Sequence, residues 1–255
     1  MGVSSVAFGT IVRKEVNRFI RIWTQTLLPS VITMTLYFVI FGQFIGSKID
    51  SMNGFDYVAF IAPGLIMMAV ITNAYSNVVS SFFGSKFQRN VEELLVSPTP
   101  SAIIILGYIT GGILRGLLVG FLVTMVSLFF TKLHVYSIFM ICVYVILTSI
   151  VFSLAGFMNG IFAKKFDDVA IVPTFVLTPL TYLGGVFYPI SVLPTFWQWV
   201  SYANPIVYMV SGFRYGFLGV SDINVWYGIA MLIVFAIALF GINLYLMEKG
   251  HGMKS

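Results

Sequence analysis

Charge is what this sequence has least of. Only 9% of its 255 residues are Asp, Glu, Lys or Arg, against about 25% in a soluble domain, so most of the folded surface cannot be facing water. With 59% hydrophobic residues and a mean hydropathy of +0.98, that scarcity excludes a soluble enzyme, a disordered chain and a nucleic-acid binder. Cys142 is the single cysteine, so no disulfide framework can form. Histidine is confined to His134 and His251, and three such scattered side chains hold no metal. No segment reads G-x-x-x-x-G-K-[ST], so the chain has no phosphate-cradling loop of its own. No Ser, His and acid set shares one side of the membrane, and none of the nine Asp/Glu falls within an expected hydrocarbon core. A catalytic site and a relay of membrane acids are both disfavoured, although ion coupling through neutral oxygens stays open. What remains is a polytopic membrane protein; if it pumps, the energy comes from another chain.

The few charges punctuate the apolar runs. A spanning helix needs about 20 apolar residues, and residues 22–47, 57–85, 133–163 and 223–247 are each uncharged. Residues 94–131 are broken only by Arg115, whereas 169–213 is long enough for one span or two. The positive-inside rule decides between them. With six spans, at about 25–46, 57–81, 107–130, 136–161, 169–189 and 225–246, ten Lys/Arg fall inside: Arg13, Lys14, Arg18, Arg21, Lys86, Arg89, Lys164, Lys165, Lys249 and Lys254. Only Lys48, Lys132 and Arg214 fall outside. The expectation is an all-α membrane protein of six helices with both termini cytoplasmic. Residues 190–215, rich in Trp197, Trp199, Tyr202 and Pro205, read as an outer re-entrant hairpin.

Residues 1–22 form a separate unit ahead of a transmembrane domain at 23–250. Val6, Phe8, Ile11, Val12, Val16, Phe19 and Ile20 alternate with Arg13, Lys14, Asn17, Arg18 and Arg21 at helical spacing. This is a basic amphipathic helix for the inner membrane surface, suited to anionic lipid and to contact with a cytoplasmic partner. It does not read as a cleaved signal, since the apolar run begins after Arg21 and lacks a small-residue cleavage site.

Inside the spans, Arg115 is the one structural charge. Counting back from Phe130 leaves it about 6 Å deep, where snorkelling or an ion pair would hold it. Gly112, Gly116 and Gly120, with Gly156 and Gly160, are small faces for close helix packing. Two polar stripes share one spacing: Asn73, Asn77, Ser80, Ser81 and Gly84, then Thr174, Thr178, Thr181, Tyr182 and Gly185. Neither face suits lipid, so each is expected to look inward, as helix–helix hydrogen bonding or as the lining of a path.

Between the second and third spans, residues 85–96 are expected to form a short amphipathic helix closed by Pro98 and Pro100. Glu92 and Glu93 are its acids, followed by Leu94 and Leu95. The run Glu92-Glu-Leu-Leu-Val-Ser-Pro98, the block Phe175-Val-Leu-Thr-Pro-Leu-Thr-Tyr-Leu-Gly-Gly-Val-Phe-Tyr188 and the later Asn204-Pro205 together resemble the permease subunits of ABC-2 type ABC transporters over nearly the whole chain. The resemblance implies a non-catalytic exporter half: two copies of the chain enclose a substrate path and pair with two copies of a separate ATPase, which holds ATP and Mg. It also implies that Glu92, Glu93, Leu94 and Leu95 couple to that ATPase. The second and fifth spans would line the path through Asn73, Asn77, Ser80, Thr174, Thr178, Thr181 and Tyr182. A permease-like signalling protein, coupled to an ATPase without moving a substrate, is the alternative.

The topology is directly testable in a Cys142→Ser background. Cysteines replacing Lys48, Lys132 and Trp197 react with an impermeant thiol reagent added outside, and cysteines replacing Lys86 and Lys164 do not. Outside labelling of Lys254→Cys would overturn the six-helix count.

Overall fold

In hydrocarbon every backbone amide needs an internal partner, so a spanning chain is either helical or a closed barrel. This chain is helical. The computed structural model describes residues 3–49, 51–52 and 54–250, and among them the only β pairing is the isolated bridge between Met52 and Phe55.

Helix α1 (Val3–Arg21) is followed by α2 (Trp23–Thr26) and α3 (Leu28–Tyr37), which continues as a π-helical turn at Phe38–Ile45. Then come α4 (Tyr57–Phe87), α5 (Asn90–Val96), α6 (Ser101–Ser127) and α7 (Ile138–Phe162). The second half holds α8 (Phe166–Val172), a π-helical segment at Pro173–Leu177, α9 (Thr178–Tyr182), α10 (Thr195–Tyr202), α11 (Pro205–Leu218) and α12 (Val225–Lys249). Among the described residues, five helical runs are long and apolar enough to cross a membrane: Trp23–Ile45, Tyr57–Phe87, Ser101–Ser127, Ile138–Phe162 and Val225–Lys249.

The expected span at 169–189 takes another form. It is a broken run from Phe166 to Tyr182, interrupted where Pro173 and Pro179 remove backbone donors. Its start is anchored at a carboxylate: Asp168 Oδ2 accepts from the amides of Lys164 (2.8 Å) and Lys165 (3.0 Å), which hold that acid below the ordinary carboxylate range. The chain touches α4 at the start of this run and again beyond its end. Phe166 meets the rings of Phe83 and Phe87, while Val186 backs onto Gly64, where a Cβ would come 2.8 Å from the Val186 carbonyl oxygen. From Phe83 to Gly64 is about 28 Å along a helix.

A second expectation is corrected near the α4 terminus. Residues 85–96 do not form one short helix. Nothing breaks α4 at Ser85, so it runs on to Phe87; the chain then turns through Arg89 in a left-handed conformation (φ 61°), and α5 begins at Asn90.

Helix α4 is the axis of the bundle, buried along most of its length between α6, α7 and α11, whereas α12 and the first run lie outside. Small residues set the spacing. A Cβ at Gly156 of α7 would lie 2.5 Å from the Tyr75 carbonyl oxygen of α4, and one at Gly120 of α6 would lie 2.8 Å from Val70 Cγ2. Beyond them Phe82, Tyr108 and Phe157 interlock α4, α6 and α7, with ring centroids 4.1–5.9 Å apart. The polypeptide returns through α10 and α11 at a capped joint. Asn204 Oδ1 accepts from the Ile206 amide (2.9 Å), and Asn204 Nδ2 donates to the Leu180 carbonyl (2.6 Å). Arg214 of α11, 2% exposed, donates to the carbonyls of Phe60, Gly185 and Val186, pairs with Asp222 at 3.5 Å and lies over the Phe60 ring.

Backbone contact at Gly156 leaves nothing flexible to yield. Gly156→Leu is therefore expected to cost at least the 1–3 kcal/mol typical of overpacking (roughly), read as a lower unfolding midpoint of the purified protein in detergent. Gly241→Leu on α12, where a Cβ meets nothing within 4 Å, serves as the control and leaves the midpoint unchanged.

Candidate functional site

The polar side chains that the sequence scatters over α1, α4 and α6 converge in the bundle. On α1, Ile11, Glu15 and Phe19 follow i, i+4, i+8, and all three are buried, with Glu15 at 0% exposure. They lie against α6, where a Cβ at Gly107 would collide with Ile11 and one at Gly111 would lie 2.5 Å from Glu15 Cβ. Glycine at both positions lets α1 descend far enough to bury a carboxylate. That carboxylate is satisfied on both oxygens: Ser81 Oγ donates to Oε1 at 2.6 Å, and Arg18 Nη2 meets Oε2 at 3.3 Å. The same Nη2 donates to the Asn77 backbone carbonyl (2.9 Å) and to Asn77 Oδ1 (2.8 Å).

One turn further along α4 a second guanidinium repeats the arrangement. Arg115 of α6, 8% exposed, donates from Nη2 to the Thr26 carbonyl (2.8 Å) and to Asn73 Oδ1 (3.0 Å). Asn73 Nδ2 donates to Ser30 Oγ at 2.9 Å and to the Ala69 carbonyl, and Thr26 Oγ1 donates to the Phe19 carbonyl at 2.8 Å. Arg115 therefore turns into the protein and ties α6 to α2 and α4, instead of reaching for headgroups.

The two polar stripes meet different surroundings. Asn73, Asn77 and Thr181 are buried, at 2%, 0% and 3% exposure. Both asparagine oxygens accept from arginine, and Thr181 Oγ1 donates to the Leu177 carbonyl at 2.6 Å. Ser80, Thr174, Thr178 and Tyr182 are exposed. Of these, Ser80 donates to Ser76 O and Thr178 to Pro173 O, while the Tyr182 hydroxyl lies 3.1 Å from that of Tyr37.

On α5, Glu92 and Glu93 are exposed and Leu94 is half-buried against the cluster of Ile11, Val91 and Tyr108. The side chain of Leu95 lies outside the described residues. Glu93 and Leu94 border a groove of about 510 Å³ together with Ile11 and Lys14 of α1 and Tyr108 of α6. A larger cleft, about 520 Å³, opens between α1 and the end of α4, with Lys14, Arg18 and Arg21 on one wall and Ser80, Ser81 and Ser85 on the other. Among the described residues no group of three His, Cys, Asp or Glu side chains could hold a metal.

Sequence reasoning missed Glu15, Arg18 and Arg214 as members of the buried framework. A signal was present for the first: Glu15 is the sole acid among the first 49 residues and sits in register between Ile11 and Phe19. Arg214 carried no comparable signal, because its partners lie at Phe60, Gly185, Val186 and Asp222.

Removing Glu15 leaves Arg18, which is one quarter exposed, without its counter-charge, and water screens it in part, so the loss falls below the roughly 3–5 kcal/mol of a fully buried pair. Glu15→Ala is expected to lower the unfolding midpoint accordingly and to expose α1 to protease. Glu15→Ala with Arg18→Met recovers a large part of the loss, and the exposed Arg13→Ala stays within about 0.5 kcal/mol of the parent.

Comparison with known proteins adds a lineage to this geometry. The family model described as ABC-2 type transporter matches residues 6–218. The inner membrane transport permease YadH of Escherichia coli K12 is 60% identical over 250 residues, covering 98% of both chains. Nodulation protein J of Rhizobium leguminosarum bv. viciae is 23% identical over 232 residues, covering 89% of this chain and 90% of that one. Nodulation protein J of Rhizobium meliloti is 21% identical over a span of the same length.

Proposed function

The chain belongs to the ABC-2 type transporter family, and on that premise we propose that it is the permease subunit of an ATP-driven exporter in a bacterial inner membrane. Two copies enclose the path, and two copies of a separate ATPase, carrying ATP and Mg, drive it. Residues 1–22 lie on the cytoplasmic surface, 23–250 form the transmembrane domain, and both termini are cytoplasmic.

Six crossings follow if the broken run Phe166–Tyr182 and the residues after it are counted. The support is the separation of its two contacts with α4, Phe166 at Phe83 and Val186 at Gly64, which are about 28 Å apart along that helix and close to the thickness of a hydrocarbon core. The hairpin of α10 and α11 is the re-entrant element. Its joint at Asn204 reaches Leu180, while the end of α11 returns to the start of α7, where the Ser137 amide donates to the Gly216 carbonyl at 2.8 Å.

The observation that carries the reading is the mounting of α5. A helix that transmits force must be stiffly joined to the spans yet present free groups to its driver. Helix α5 is held at one end by the turn at Arg89, at the other by Pro98 and Pro100, and beneath by Leu94, while Glu92 and Glu93 face outward. These two acids and the Leu94-Leu95 pair are the coupling surface for the ATPase. Ser80, Thr174, Thr178 and Tyr182 are the stripe residues available to line the path between two copies. Asn73, Asn77 and Thr181 stand behind them and act through the packing of the bundle.

Adjacent acids diverge by about 100° on a helix, so one of the pair meets the ATPase and the other stays solvated. Reversing the interfacial one should cost several kcal/mol of association. Glu92→Lys and Glu93→Lys are to be compared for ATPase retained on the purified permease and for transport by vesicles containing both proteins. One of the two is expected to lose at least about tenfold in retention, or to hydrolyse ATP without transport, while membrane insertion persists. Parent-level retention and transport in both would remove α5 as the coupling element. Hydrolysis without transport in the parent complex, across a substrate screen, would favour the signalling alternative.

A further inference from the structure

The cleft of about 520 Å³ between α1 and the C-terminal end of α4 has no part in the coupling surface, and its chemistry is one-sided. Lys14, Arg18 and Arg21 line it without any acid among the lining residues, joined by the side-chain amides of Asn17, Gln88 and Asn90. The nearby carboxylate, Glu15, is fully buried, with both oxygens already engaged by Ser81 and Arg18. Three cations thus face one concavity, with Glu15 buried behind them and Glu93 across the adjoining groove that Lys14 also borders. Arg18 sits at the floor with one quarter of its side chain exposed; its Nη2 is committed to Glu15 and Asn77, while its Nε has no partner among the described residues. Lys14 makes only a long contact, 3.4 Å, to Ser85 Oγ. Lys14 and Arg21 are exposed and Arg18 is partly so, and an anion placed between the three is attracted by all of them.

We propose that this cleft binds a phosphate group. Lys14 and Arg21 would contact its oxygens as flexible donors, with Arg18 as the fixed charge that Glu15 and Asn77 hold in place. A phosphate suits the arrangement better than a carboxylate, because three separated cations and the side-chain amides of Asn17, Gln88 and Asn90 match a group with oxygens on several sides. The chemistry is shared by two sources: the headgroup of an anionic phospholipid, which a surface-lying α1 would meet edge-on, and a phosphate or pyrophosphate on a soluble or lipid-linked molecule. Only the first source rests on the membrane placement of α1. Neither rests on transport, because binding is read in the permease by itself.

The test uses the full chain purified in neutral detergent, with thermal unfolding followed against added dihexanoyl phosphatidylglycerol, dihexanoyl phosphatidylcholine and inorganic pyrophosphate. The expected result is a saturable rise in midpoint with phosphatidylglycerol or pyrophosphate and none with phosphatidylcholine. Lys14→Gln with Arg21→Gln is expected to shift the half-saturating concentration by about tenfold or more. Arg18 is left intact because its loss would undo the packing of α1. Lys164→Gln with Lys165→Gln, which removes two exposed cations between α7 and α8, is expected to leave saturation unchanged. A response to phosphatidylglycerol alone assigns the site to the bilayer, and a response to pyrophosphate assigns it to the phosphate group itself. The proposal is overturned if neither anion acts, if phosphatidylcholine acts equally, or if the Lys14/Arg21 variant saturates like the parent. It is equally overturned if the Lys164/Lys165 variant weakens binding as much.

Discussion

The placement of α1, α2 and α6 around α4 depends on two guanidinium groups, Arg115 buried and Arg18 one quarter exposed, that hydrogen-bond across the bundle. Arg18 and Arg115 each place Nη2 on an asparagine oxygen of α4, at Asn77 and Asn73, and each also takes a backbone carbonyl. A buried charge without partners is far more costly than any single packing contact, so the positions of α1, α2 and α6 around α4 are coupled to one another. The glycines of α6 serve that constraint. Gly107 and Gly111 admit α1, and Gly120 admits Val70 of α4. Close approach of backbones and completion of the polar network are therefore one event, since neither guanidinium can reach its partners if the helices stand further apart.

The opposite end of α4 is fastened by the same means with different residues. Arg214 gathers carbonyls from Phe60 and from Gly185 and Val186, with Asp222 as its counter-charge. The segment it holds is the irregular one, where Pro173, Pro179 and the turn at Gly185 leave the backbone without a regular ladder. Non-helical backbone at membrane depth is tolerated where protein supplies the missing donors, and Arg214 with Asn204 supplies them here. Helix α4 is thus held near its start by Arg214 and at its middle by Arg115 and Arg18, and α5 follows it through the turn at Arg89.

Much of the architecture was legible in the residue pattern. Four uncharged runs, bounded by charged residues of either sign, coincide with four of the long helical runs to within about five residues, because hydrocarbon sorts residues by polarity more sharply than any core does. The 169–189 segment was not legible as a broken helix, since its apolar composition hides the interruption and only its prolines hint at it. The helix expected at 85–96 was shortened by a left-handed Arg89, a conformation that residue type does not foretell. The polar stripes were visible as spacing. Their division into buried members on arginine and exposed members was not.

Composition and periodicity alone determined that the chain is a helical membrane protein and that a basic amphipathic helix precedes the long apolar runs. Those properties follow from the transfer of side chains between water and hydrocarbon, which each segment obeys by itself. Only the tertiary structure decided that Glu15 is buried, that Arg115 faces Asn73 and Thr26, and that Arg214 closes the far end. Each of these depends on partners dozens of residues away in sequence, and whether a buried charge is tolerated is a property of the assembled surroundings rather than of the residue.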